Sequence, residues 1–476
     1  MKQHIPPAPG RDGSPHARWI WRVAAVAVLV LIFVLSSRPY RGGRAKAGRS
    51  TNITKEVDAA AVVDAYRAAL AARMIHRTSY TATNTAEQIV ADKVAQFGRK
   101  RLELVRDISQ RTQKQVPAAV EKFFEALEKG EWKEIDAQWH ELAKRAGQYE
   151  FSTETWEELS PFWPAVLDAY GVAEQAHDWP AQQLLDYGNA ILDSLRPGMV
   201  YVGGTDNGRW IPELLNETSG SEPHIIITQN ALADGRYVEF MQSLYDGGMS
   251  TLTAQDSERA FGDYMADARK RFDHDQQSPD DPKQVRPGED IRVMDGKVQV
   301  SGQVAVMSIN ERLLQTLMSK KPELSFAIQE SSPLRGTYGD ALPLGPLMEL
   351  GARDGQNDFT PERATQTLDY WRAAAGRVFS DPTAAGSEEV LKSYSHDAVS
   401  AANLLAAHQF SAEAEQAYRL AAQLWPENPE SVAGLAGILA QSGREEEARR
   451  MLAEFARQHP GQQKDLERIS FQRSSQ

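Results

Sequence analysis

Two short β-branched runs, Met199 to Val202 and His224 to Thr228, constrain this chain more than any other feature. Each is bounded by Pro or Gly and followed by a helical pattern, so Pro197 to Tyr245 reads strand, turn, helix, strand, turn, helix. Two such units in succession require parallel strands joined by right-handed crossovers. The first helix reads as Trp210 to Glu217, entered through Asp206-Asn207-Gly208, with Pro212 in its opening turn, where a missing N–H is harmless. The second begins near Asp234, an N-cap candidate, and places Tyr237, Phe240, Met241 and Leu244 on one face. Beyond it the pattern predicts a helix over Ser257 to Phe272 and a Pro-, Asp- and Gln-rich surface loop from Asp273. A hairpin over Ile291 to Val300, a helix over Val304 to Met318 and strands at Leu324 to Gln329 and Pro346 to Leu350 complete the unit. Residues 196–355 thus form an α/β module with a mainly parallel sheet and an excursion inserted after its second helix.

The module is flanked by helical sequence on both sides. Residues 55–195 carry apolar residues at helical spacing, and Val120 to Leu142 reads as two helices joined at Gly130, with Phe123, Phe124, Leu127, Trp132, Ile135 and Trp139 as core. Residues 356–394 read as a helical connector. At an offset of 34 residues, Ala402 falls on Ala436, Ala414 on Ala448, Tyr418 on Leu452, Ala421 on Phe455 and Pro426 on Pro460. Small residues let antiparallel helices approach, and Pro stops the second helix of each pair. This period resembles the tetratricopeptide repeat, which implies two α-solenoid repeats over 395–462, followed by a tail at 463–476. Gly443 occupies the inter-helix turn of the second copy, where the first has Gln409.

The N-terminus reads as a tail (1–18), an apolar segment (19–37) and a basic linker (38–54). Trp19 to Ser37 contains an uncharged run from Val23 to Leu35 with a Trp pair at its upstream edge, as a single membrane anchor requires. The rival is a cleaved leader, but no small-x-small site follows Leu35 directly. Lys2, Arg11, Arg18 and Arg22 on one side are balanced by Arg38, Arg41, Arg44, Lys46 and Arg49 on the other, so charge leaves the orientation open. A formal charge of −12 argues against a dedicated nucleic-acid binder. The lack of cysteine excludes thiol nucleophiles, disulfides and thiolate metal sites.

Ligands of open parallel sheets bind beyond the carboxyl ends of the strands. Those ends carry Thr205, Asp206, Asn207 and Arg209, then Gln229, Asn230 and Asp234, then Glu330. Carboxylates, amides and a guanidinium suit a sugar, a peptide end or another small polar solute. The competing account is that Asp206 and Asp234 cap helices and Asn230 shapes a turn. Gly203-Gly204 with Gly208 lacks the spacing of a phosphate loop, so no nucleotide cofactor is expected. Asp273-His274-Asp275 reads as solvated loop rather than a metal site, so no metal is expected either.

The turn Gly204-Thr205-Asp206-Asn207, the second strand end at Gln229-Asn230, and the later helix and strand resemble the soluble extracytoplasmic part of bacterial protein O-mannosyltransferase-like membrane proteins of the GT-C class. Several of those proteins also end in tetratricopeptide-like helices. That class transfers sugar through many membrane helices, whereas this sequence has one hydrophobic segment, so the resemblance does not carry transferase activity with it. It implies a single-pass protein of a bacterial inner membrane, with an extracytoplasmic body that binds a glycan or peptide on the module and a protein on the repeats. The alternative is an enzyme of glycosyl transfer or hydrolysis using Asp206 with Asp234 or Glu330.

Overall fold

The computed structural model describes residues 84–145, 158–204, 206–220, 222–245, 252–286, 289–294, 297–329, 339–351, 358–466 and 469. The expected anchor and linker, Thr205 and Glu330 lie outside them. Among the described residues no helix is long and apolar enough to cross a membrane.

The first helices are α1 (Ala86–Thr112), α2 (Ala118–Lys129), α3 (Trp132–Arg145), α4 (Trp163–Asp178) and α5 (Ala181–Ser194). A capping box of Thr85 with Gln88 starts α1, and α2 ends at Gly130, whose φ of 71° fits the left-handed C-cap expected there. The predicted aromatic core forms: Trp139 stacks on Tyr170 at 4.2 Å and on Trp163 at 5.1 Å between ring centroids.

The module follows as β1 (Val200–Gly203), α6 (Asp206–Glu217), β2 (Ile225–Thr228), α7 (Gly235–Leu244), α8 (Ala254–Gln277), β3 (Asp290–Met294), β4 (Lys297–Ser301), α9 (Gln303–Lys320), β5 (Ser325–Ile328), β6 (Leu342–Leu344) and β7 (Leu347–Gly351). Strand order is β2-β1-β5-β7-β6, with β3 and β4 forming the separate hairpin. β1 pairs in parallel with β2 and β5, while β7 runs antiparallel to β5 and β6. The sheet is therefore mixed: the first three of the four predicted strands are parallel, the fourth, β7, is antiparallel, and β6 lengthens that edge. The chain steps outward from β1 to β2 through α6 and then returns past β1 to β5, which α9 precedes. β2 is an edge strand, and α7 blocks it: Tyr245 Oη takes the N–H of Ile226 at 2.9 Å, and Tyr237 Oη that of Thr228 at 2.6 Å.

Two local expectations change. α6 starts at Asp206, so Pro212 lies inside the helix rather than in its first turn. A proline there leaves the carbonyl of Gly208 without its helical donor, and the Tyr201 hydroxyl of β1 supplies one. The Asp273-His274-Asp275 run is the end of α8, which continues to Gln277, and Asp275 accepts from the N–H groups of Gln284 and Val285 to turn the chain.

The last section is α10 (Pro361–Ser380), α11 (Pro382–Ala385), α12 (Glu388–Ala407), α13 (Ser411–Leu424), α14 (Pro429–Gln441) and α15 (Glu445–Gln458). The 34-residue offset is structural: Ala402, Ala436, Ala414, Ala448, Ala421 and Phe455 are all buried between helices. Gln409 adopts φ of 65° in its turn, the same left-handed conformation as Gly443 at 74°. The first helix of the array already begins at Glu388, inside the expected connector.

Candidate functional site

The carboxyl edge of β1 and β5 is where the strand order reverses, the position a ligand takes in an open α/β sheet. Here α12 sits over it. Gln329, the residue after β5, donates from Nε2 to Asp397 Oδ1 at 2.8 Å, and Tyr187 Oη on α5 donates to Asp397 Oδ2 at 3.0 Å. Gln329 Nε2 also reaches Tyr187 Oη, and Tyr201 Oη lies 3.4 Å from Gln329 Oε1. At the start of α6, Asn207 Nδ2 donates to Ser393 Oγ of α12. The closeness is enforced at Gly208, where a Cβ would fall 1.3 Å from Gln329 Oε1. Farther out, Gln183 donates to Asp381 at 2.6 Å, Arg363 to the carbonyl of Pro343 at 3.2 Å, and His408 Nε2 lies 3.0 Å from the carbonyl of Ala341. Helices α5, α6 and α12 and two strand ends thus share one polar junction.

Asp397 is 3% exposed, and neither Lys nor Arg pairs with it among the described residues. Burial pushes its carboxyl up to about 7, against the opposing pull of the Tyr187 and Gln329 bonds and of His396. Burial, and then the Asp397 carboxylate, push the Tyr187 phenol well above its ordinary range. A neutral carboxyl is the form such a site favours.

The sequence-derived candidates divide. Asn207 belongs to this junction. Asp206 stands half-buried at the first turn of α6. Asn230 donates to the carbonyl of Gly204 at 3.1 Å, which joins the ends of β2 and β1, while its Oδ1 has no hydrogen-bond partner among the described residues. Gln229, 1% exposed, is buried beside it, with Nε2 unbonded among the described residues. Asp234 caps α7 by accepting from Arg236 N at 3.0 Å, and it also pairs with the Arg236 guanidinium at 3.1 Å.

Arg209 is drawn into a second, fully interior cluster. Its guanidinium donates to Asp168 of α4, with Glu213 at 3.7 Å. Arg101 of α1 reaches Asp168 at 3.1 Å, Glu213 at 2.9 Å and Glu217 at 2.6 Å. Burial would raise Asp168, but Arg209 and Arg101 together hold it below its usual value. Burial and the charge on Asp168 push Glu213 well above the carboxylate range. This cluster ties α1 and α4 to α6. Its sequence signal was available: Arg101 falls on the apolar stripe of Phe97, Leu104, Val105 and Ile108, where an unpaired charge could not be buried. Asp397 gives the same signal, between Val390, Ala401 and Leu404. No group of three or more His, Asp or Glu placed to hold a metal occurs among the described residues.

The family model of the tetratricopeptide repeat matches residues 404–468. No curated protein and no solved structure matches the chain. The helices within 404–468 are therefore tetratricopeptide repeats, a fold that generally mediates binding between proteins.

Proposed function

We propose that this protein is a non-catalytic scaffold, held to a bacterial inner membrane by residues 19–37 with its body outside the cytoplasm. Its repeats engage a partner protein, and its α/β module recognises a small polar ligand, a glycan or a peptide, at the strand ends. The observation that carries this reading is the junction through Asn207, Gln329 and Asp397, which seats the repeats on the module and so brings two binding surfaces together in one chain. On the module, half-buried Asp206 and Asn230 lie where such a ligand is expected. On the repeats, α15 presents a shallow groove lined by Glu447, Arg450, Met451, Glu454 and Arg457.

The test has two arms on the full-length chain. A partner recovered from detergent-solubilised membranes is purified and rebound in isolation, with Arg450→Ala plus Arg457→Ala expected to weaken it at least tenfold, about 1.4 kcal/mol. Thermal shift against neutral oligosaccharides and short peptides is expected to give a rise that Asp206→Ala plus Asn230→Ala abolishes. If no recovered protein rebinds and no ligand shifts the melting temperature, the reading fails.

A further inference from the structure

The first helix of the repeat array is not free. At 100° per residue, Val390, Ser393, Asp397, Ala401, Leu404 and His408 fall in one sector of α12 about 80° wide. Ser393, Asp397 and His408 within it are bonded to the module, and Val390, Ala401 and Leu404 are buried with them. A second sector, about 130° around the helix and carrying Ser395, Ala398 and Ala402, is committed to the repeat: Ser395 Oγ donates to the carbonyl of Ala421 and accepts from Asn428. Solenoid repeats bind partners on the surfaces that such helices line. In this chain that surface is covered by its own sheet.

We propose that the α/β module occupies the first helix of the repeats in cis as a proton-sensitive latch: α12 stays seated on the strand ends while Asp397 is neutral and is released when it ionises, baring the 390–408 sector.

The chemistry at the junction favours this behaviour. Among the described residues, the ionisable groups around Asp397 are Tyr187 from α5, Tyr370 from α10, and Tyr394 and His396 from α12 itself, with Arg377 of α10 acting on the two outer tyrosines and not bonded to the carboxyl. An ionised Asp397 therefore has neutral hydrogen-bond donors in Tyr187 and Gln329 and no cation bonded to it among the described residues, and in the undocked state water supplies what the junction lacks. The sign follows from linkage. The docked carboxyl titrates near 7 and an exposed one near 3.8, so the docked state holds more protons between these values. Docking is strongest in acid and weakens as pH rises through that window, by up to about tenfold per pH unit. Above it the loss levels off.

The chain has no cysteine, so a single introduced thiol reports opening. Ala401→Cys places it on the docked side of α12 and Ala402→Cys on the side committed to the repeat, both at buried positions. Labelling rates in the full chain, divided by the rate for an unfolded peptide at the same pH, give the opening constant at each site. For Ala401→Cys the constant is expected to rise severalfold per unit from pH 5 to 7 and then to flatten, whereas Ala402→Cys stays protected. Adding Asp397→Asn to Ala401→Cys is expected to flatten the profile. A pH-independent constant at Ala401→Cys overturns the proposal, as does an equal rise at Ala402→Cys, which would mean that α12 unfolds rather than undocks. If Ala402→Cys does not fold, Ala398→Cys serves on the same face.

Discussion

The repeats and the strand-end junction solve the problem of burying a helix in opposite ways. Within the repeats, α13 and α14 meet through Ala, Gly and aromatic contacts, and the polar groups that go inside are few and fully paired. Asn428, for example, caps α14 and also holds Ser395. At the junction and in the cluster below it, the same chain buries Asp168, Glu213, Arg101, Arg209 and Asp397, whose partners come from elements far apart in sequence. The first arrangement tolerates small adjustments of shape. The second is unforgiving of a missing partner, because a buried charge left alone carries its full desolvation cost.

The largest test of that contrast is Arg101→Ala, which removes the group shared by Asp168, Glu213 and Glu217 and should destabilise the fold by about 3–5 kcal/mol in chemical denaturation. A loss no greater than that of an ordinary surface change would erase the distinction. Next comes Tyr201→Phe, which removes the hydroxyl that donates to the Gly208 carbonyl opposite Pro212 and should cost about 1 kcal/mol. The smallest effect belongs to the repeats and has the opposite sign. Gln409→Gly relieves a left-handed residue that its counterpart Gly443 does not strain, and should stabilise the protein by about 0.5–1 kcal/mol. A destabilising Gln409→Gly would mean that the turn is held by its side chain instead.

The sequence showed these two regions to different depths, for a physical reason. The repeats are built from contacts one or two helices apart, so the 34-residue spacing of Ala402 and Ala436, Ala414 and Ala448 was enough to place them. The parallel strands were equally visible, since β1 and β2 carry their own period and punctuation. What escaped was the use of polar residues at the strand ends. Arg209 follows a strand as a ligand-binding residue would, yet its partner Asp168 lies on a helix before the sheet. Asn207 and Gln329 meet α12 through Ser393 and Asp397, and no local pattern announces that a repeat helix will cover a sheet. Pro212 read as a helix start because its missing donor was assumed harmless; the hydroxyl that replaces it is on a neighbouring strand.

The seating of α12 on the strand ends is most directly tested by a double-mutant cycle between Gln329→Ala and Asp397→Ala, followed by equilibrium unfolding near pH 6. Two residues in contact should show a coupling of about 1 kcal/mol or more, the double variant losing less than the sum of the two single changes. Losses that add to within about 0.3–0.5 kcal/mol would show that the two side chains do not meet.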